Sequence, residues 1–423
     1  NFANSGTAGN ITNKGTLANA TNTGTLANLN NTKNIGTFTN KGTLANATNT
    51  GIIANLANTK NIGTFSNANG GTITNKVSNE GTIANFDNKG ILSGGFVNNA
   101  NAILTKFSNS NNIGTFDNQG SLASAENTGS ITNFANSGTA GNITNKGTLA
   151  SATNTGTLAN LANTKNIGTL SNTGTLANLN NTKNIGTLSN TGTLANATNT
   201  GTITSLDNTK NIGTFSNAGT ITNQVKNQGT IANFDNKGNL NGGFVNDTGA
   251  TLSKFSNTKN IGTFSNLGTI TSQVKNQGTI TSFDNKGNLS GGFVNDTGAT
   301  LSKFSNASNL GTLENKGNLA TLTNTGTLNS ASNTGTIANL DNTKNIGTFS
   351  NAGTITSQVK NQGTITSFDN KGNLSGGFVN DTGATLSKFS NTSNLGTFSN
   401  LGTITNQVKN QGTITSFDNK GNL

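Results

Sequence analysis

Thr16-Leu17-Ala18-Asn19-Ala20-Thr21-Asn22-Thr23-Gly24 is followed at once by Thr25-Leu26-Ala27-Asn28-Leu29-Asn30-Asn31-Thr32-Lys33, which repeats it nine residues on. The first apolar position of the repeat recurs as Leu17, Leu26, Ile35, Leu44, Ile53 and Ile62, and a second follows three residues later as Ala20, Leu29, Phe38, Ala47, Leu56 and Phe65. From Leu149 the count restarts and holds through Leu158, Ile167, Leu176, Ile185, Leu194, Ile203 and Ile212. So short a fixed period, kept over so much chain, is the signature of stacked repeats.

Helix is opposed by the density of Gly, Asn and Thr. Asn and Gly fall where an extended chain must turn, and both tolerate positive φ. Thr-Ile or Thr-Leu supplies an extended segment of about three residues between turns. Asn-Gly, the usual two-residue hairpin turn, occurs only at Asn69-Gly70 and Asn241-Gly242. The strands are therefore expected to wind onward in parallel, each repeat lying about 4.8 Å from an equivalent one.

The expected fold is all-β: a parallel β-solenoid, or β-helix, of nonapeptide repeats running as one continuous body through residues 1–423. Two repeats per coil, giving a flattened two-faced coil of about 18 residues, is the favoured reading, and a triangular coil of three repeats is the other. The Ile-Gly-Thr-Phe/Leu variant recurs three nonapeptides on from Ile35 to Ile62 but two on from Ile167 to Ile185, so the faces must be nearly interchangeable.

Inward columns are assigned to Leu17, Leu26, Leu29, Ile35, Phe38, Leu44, Ile53, Leu56, Ile62 and Phe65. Apolar residues make up 30% of the 423, and all 22 aromatics are Phe, which suits a thin core with no partner for a buried polar ring. Asn22, Asn31, Asn40, Asn49, Asn58 and Asn67 lie two residues after the second apolar position. A carboxamide donates and accepts, so identical Asn side chains stacked at strand spacing form a ladder, where stacked Asp would repel.

A longer module overlies the short period. Ile212, Ile221, Ile231, Leu240, Leu252 and Ile261 are separated by 9, 10, 9, 12 and 9 residues. One extra residue enters around Gln224-Val225-Lys226, and three enter near Gly242-Gly243-Phe244-Val245, again near Gly291-Gly292-Phe293-Val294. Insertions in a solenoid bulge from corners. These segments are the candidate surface epitope, because the surface is otherwise uniform, although Phe is expected to stay inward.

Little reactive chemistry is present. There is no His or Cys, so imidazole catalysis and thiolate metal sites are excluded. The Gly-Gly pairs run into Phe-Val instead of the Gly-x-Asp of calcium-binding nonapeptides, and no phosphate-binding Gly-Lys-Ser/Thr loop occurs. Neither an enzyme nor a cofactor site is expected. The charge of +11, from 25 Lys and 14 acidic residues, is scattered, and Arg is absent. That argues against nucleic acid and leaves a loose attraction to anionic surface polysaccharide. No run of about 20 apolar residues marks a membrane span.

The Asn/Gly/Thr-rich pattern, as in Asn19-Ala20-Thr21-Asn22-Thr23-Gly24-Thr25-Leu26, resembles the repetitive passenger regions of large bacterial surface proteins, including autotransporters and long adhesins. The resemblance spans nearly the whole chain and is compositional. It implies a non-catalytic structural or adhesive rod, extracellular or at the cell surface. Asn1 and Leu423 both fall within repeats, so a longer chain, or self-association end to end or laterally, is expected. A second resemblance concerns Thr72-Ile73-Thr74, Thr220-Ile221-Thr222, Thr279-Ile280-Thr281 and Thr413-Ile414-Thr415. Stacked Thr-x-Thr rows of this kind resemble the ice-binding face of β-solenoid antifreeze proteins.

Overall fold

Nine residues make one strand and one corner. In a computed structural model, which describes residues 1–423, the repeat Thr25–Asn31 turns Leu26, Leu29 and Asn31 inward and leaves Thr25, Asn28 and Asn30 exposed. Strict alternation would place Leu26 and Leu29 on opposite sides. The backbone therefore bends between them, and the pairing with Thr43–Asn49 passes from Leu26↔Leu44 to Asn28↔Asn46 without including Ala27. The extended segment is thus a seven-residue strand with an internal bend, longer than turn spacing alone suggested.

The chain divides into two compact units, Asn1–Thr204 and Ser205–Leu423. Each is a parallel β-solenoid with two repeats per coil. In the first unit Thr16–Asn22 pairs with Asn34–Asn40, and that strand with Ile52–Asn58, while the intervening Thr25–Asn31 and Thr43–Asn49 pair on the other face. The two-repeat coil is therefore correct and the triangular one is not. Ile35 and Ile62 lie on opposite faces, whereas Ile167 and Ile185 are directly paired, so one nonapeptide serves either sheet. The same arrangement runs through the second unit, as in Thr300–Asn306 on Asn318–Asn324 and Asn309–Asn315 on Thr327–Asn333.

The assigned core is buried from Leu26 to Phe65, with Leu17 half-buried. The Phe rings form two files. Within a face they stack, as Phe234 on Phe255 at 5.5 Å and 10°; across the coil they meet edge to face, as Phe234 and Phe244 at 5.0 Å and 72°. Both geometries suit the ring quadrupole, at about 0.5–1.5 kcal/mol per pair beyond area burial.

Two asparagine ladders run where one series was read. Asn22, Asn40 and Asn58 belong to one face, and Asn31, Asn49 and Asn67 to the other. Each Nδ2 donates to the Oδ1 one coil later at close to 2.8 Å, as Asn145 to Asn163 and Asn163 to Asn181. The same Nδ2 also reaches backbone carbonyls at the corners, such as Asn184 O from Asn163 at 3.0 Å. No buried side-chain nitrogen or oxygen lacks a partner.

The corner glycines have a different cause from the one expected. Positive φ is confined to Gly70, Gly95, Gly243, Gly249, Gly292, Gly298, Gly377, Gly383 and Asn101. The ordinary corner glycine is needed because coils approach too closely for a side chain: a Cβ on Gly174 would run into the carbonyl oxygen of Gly156.

Replacing Asn163 by Ala is expected to cost about 1–3 kcal/mol, the penalty for buried amide groups left without a partner. Asn163→Asp is expected to cost more at neutral pH, since its carboxylate would face Asn181 Oδ1. Its proton is favoured in the fold, which raises its pKa, so the loss should shrink as pH falls through the raised folded value towards the ordinary carboxylate range. Urea unfolding followed by circular dichroism at pH 7 and pH 4 checks both; equal losses for the Asp variant at the two pH values would refute the ladder's role.

Candidate functional site

The insertions are the main breaks in an otherwise repeating surface. In the second unit Ile221 and Val225 are four residues apart instead of three, and so are Leu240 and Phe244 on the next coil. These pairs lie over one another, Ile221↔Leu240 and Val225↔Phe244, so one bulge is two coils tall. It opens at the bend between the inward positions, and Gly243 takes φ +84° there. Of the three residues expected near Gly242-Gly243-Phe244-Val245, only one enters before Phe244. The other two enter after Asn246, in the corner Asp247-Thr248-Gly249-Ala250. Phe244 and Asn246 are fixed by the ring files and the ladder, so extra backbone is accommodated only where the chain leaves the sheet.

Most of the epitope residues are consequently not on the surface. Phe244, Phe293, Gly243, Gly292 and Val294 are buried, Val245 and Gly291 half-buried, and Gly242 exposed. The exposed part is the knob that follows, Thr248-Gly249 and Thr297-Gly298. Each knob is held by its Asp: Asp247 Oδ1 accepts the Thr248 amide at 2.9 Å, Oδ2 accepts Gln228 Nε2 at 3.2 Å, and Lys226 Nζ stands 3.7 Å away. Asp296 and Asp381 repeat the arrangement with Lys275 and Lys360. The backbone amide donated by the following Thr is the main cause that holds all three carboxyls below their ordinary value of 3.8.

The Thr-x-Thr segments do not form rows. Thr72-Ile73 lies between Ile52-Ile53 and Ile91-Leu92, Thr279-Ile280 between Asn260-Ile261 and Thr300-Leu301, and Thr413-Ile414 against Asn394-Leu395. A different row does form. On the outside of the first unit, Asn28 Nδ2 donates to Asn10 Oδ1 at 2.6 Å and Asn46 to Asn28 at 3.1 Å. A second run joins Asn142, Asn160, Asn178 and Asn196 at 2.7–3.1 Å. This exposed ladder donates toward the preceding coil, opposite to the buried ones. Its signal was Ala-Asn or Gly-Asn returning in every second nonapeptide, visible only once the coil length is known.

The remaining ion pairs are exposed neighbours such as Asp235 with Lys237 at 3.0 Å, and contribute little. No three acidic side chains come together as metal ligands would. Ala125, half-buried, stands between Phe107 and Ile143 in its file, opposite Phe116 and Phe134, and leaves an apolar hollow. Compared with known protein families, curated proteins and solved structures, the chain matches none. What the geometry defines is a fold, a two-faced parallel β-solenoid with internal asparagine ladders.

Ala125→Leu should fill the hollow and raise stability by about 1 kcal/mol, as a shift of the urea midpoint; a fall would mean that the site is already closely packed. For the knobs, a lowered carboxyl pKa stabilises the fold above the ordinary value of 3.8 and loses that contribution as pH falls through the lower folded value. The variant with Asp247, Asp296 and Asp381 all changed to Asn should therefore be less stable at pH 7 and respond less steeply to acid, measured by thermal melts from pH 7 to 2.

Proposed function

We propose that the chain is a non-catalytic structural or adhesive rod of an extracellular or cell-surface filament, like the passenger regions its repeats resemble. One observation carries the reading. Inward positions are occupied by stacking, and the outside presents hydroxyls, amides and scattered Lys coil after coil, with insertions as small knobs instead of a cleft. Such a surface suits repeated weak contacts or simple spacing; it offers no converging acid, base and nucleophile. Its uncharged stretches and close-packed corners also suit a protein exposed to proteases, since few loops stand clear of the coils.

Labelling intact source cells with a membrane-impermeant amine-reactive reagent tests the placement: the exposed lysines should be modified before lysis, and absence of label until lysis would remove the surface assignment. An ice-binding role is not favoured, because the Thr-x-Thr segments lie beside Ile-Ile, Ile-Leu, Asn-Leu or Thr-Leu instead of each other. Purified protein should accordingly show no thermal hysteresis at micromolar concentration.

A further inference from the structure

Stacking brings together lysines that are far apart in sequence. In the first unit Gly24 and Gly42 follow one another in a corner, and with no side chains they leave the floor of a shallow trough. Each lies two residues beyond a ladder asparagine, Asn22 or Asn40. Lys60, two beyond Asn58, takes the next place in that column and closes the trough at one end. Lys41 stands at its side, and Thr25 and Thr43 form its rim. The second unit builds the same trough from Gly219, Gly238, Lys237 and Lys259. Lys237 and Lys259 are farther apart in sequence than Lys41 and Lys60, and the difference is absorbed by the bulge at Gly243 and the longer corner Asp247-Thr248-Gly249-Ala250.

These ammonium groups are largely free of competition. Lys41, Lys60 and Lys259 have no carboxylate within ion-pair distance, while Lys237 meets Asp235 at 3.0 Å. All four lysines are exposed. The trough spans about two strand spacings, roughly 10 Å, which matches one or two sugar units. It offers two cations for an oxyanion and hydroxyls for sugar hydroxyls. It offers nothing to a nucleobase: the chain has no Arg, and Phe417 is the one aromatic ring standing exposed.

We propose that the two troughs bind carboxylate-bearing sugar units of an acidic polysaccharide, with Lys41 and Lys60, and likewise Lys237 and Lys259, holding the carboxylate. The inference is independent of the rod's cellular placement, since binding is a property of the purified chain.

The test is titration of the purified full chain with polygalacturonate at low salt, using calorimetry. Lys41→Ala, Lys60→Ala, Lys237→Ala and Lys259→Ala combined should weaken binding by about tenfold or more. A control combines Lys76→Ala, Lys106→Ala, Lys254→Ala and Lys303→Ala, all exposed and none at a trough corner, and leaves the same net charge; it should change affinity by less than about threefold. Methyl-esterified polymer, which has lost its carboxylates, should not bind. Circular dichroism should be unchanged in both variants, because every substituted side chain lies outside the core. Absence of binding by the wild-type chain overturns the proposal, as do equal losses in the two variants, which would mark a diffuse charge effect. Retained binding of the ester, or tighter binding to polyphosphate or single-stranded DNA, overturns it as well.

Discussion

The structure depends on placing the same amide in the same place on every coil. Asn163 lies in a thin interior where an unpaired polar group would be costly, and its two neighbours, Asn145 and Asn181, supply the hydrogen-bond partners it needs. Each rung is complete only if the next coil arrives at the same height. The ladder thus sets the axial register that the apolar columns, which tolerate Ala, Leu, Ile or Phe, leave loose. Stability in such an array is close to a sum of coil and interface terms, so a damaged rung weakens its own neighbourhood first.

Ring size and coil length are linked. Between Phe134 and Phe215, and between Phe304 and Phe349, there is neither a Phe nor an insertion. Where insertions occur, rings from both faces meet, as Phe86, Phe96 and Phe107 do in the first unit and Phe368, Phe378 and Phe389 in the second. The extra residue at the bend lengthens the wall that encloses them. A knob such as Asp247-Thr248-Gly249 is then the external trace of an internal packing requirement, and its Asp-centred hydrogen bonds keep the added backbone satisfied.

Much of this was legible in the residues themselves. The period of nine, the inward pair Leu26 and Leu29, and the amide at Asn31 lead directly to stacked parallel strands, because each position has one chemical character throughout. The bend at Ala27 was less visible, since a strand that turns two residues three apart to the same side breaks the alternation by which strands are recognised. The role of Gly174 was hidden for another reason: it is set by the carbonyl of Gly156, a contact two nonapeptides away that local conformational preference does not report. The trough at Lys41 and Lys60 and the outer amide row at Asn142 to Asn196 likewise exist only between coils. A scattered charge in one dimension becomes a paired one once the winding number is fixed.

The equivalence of the two faces has a consequence for how such a chain changes length. Thr220–Ile221 and Thr269–Ile270 open the same module, yet they pair within opposite sheets, because an odd number of nonapeptides separates them. Gain or loss of a single nonapeptide by recombination would leave every coil chemically content while sending all later ornaments to the far side of the coil. Gain or loss of two would keep their side and move them along the axis by one step. Slippage of the underlying gene within a run of plain nonapeptides would therefore act as a two-position selector of display.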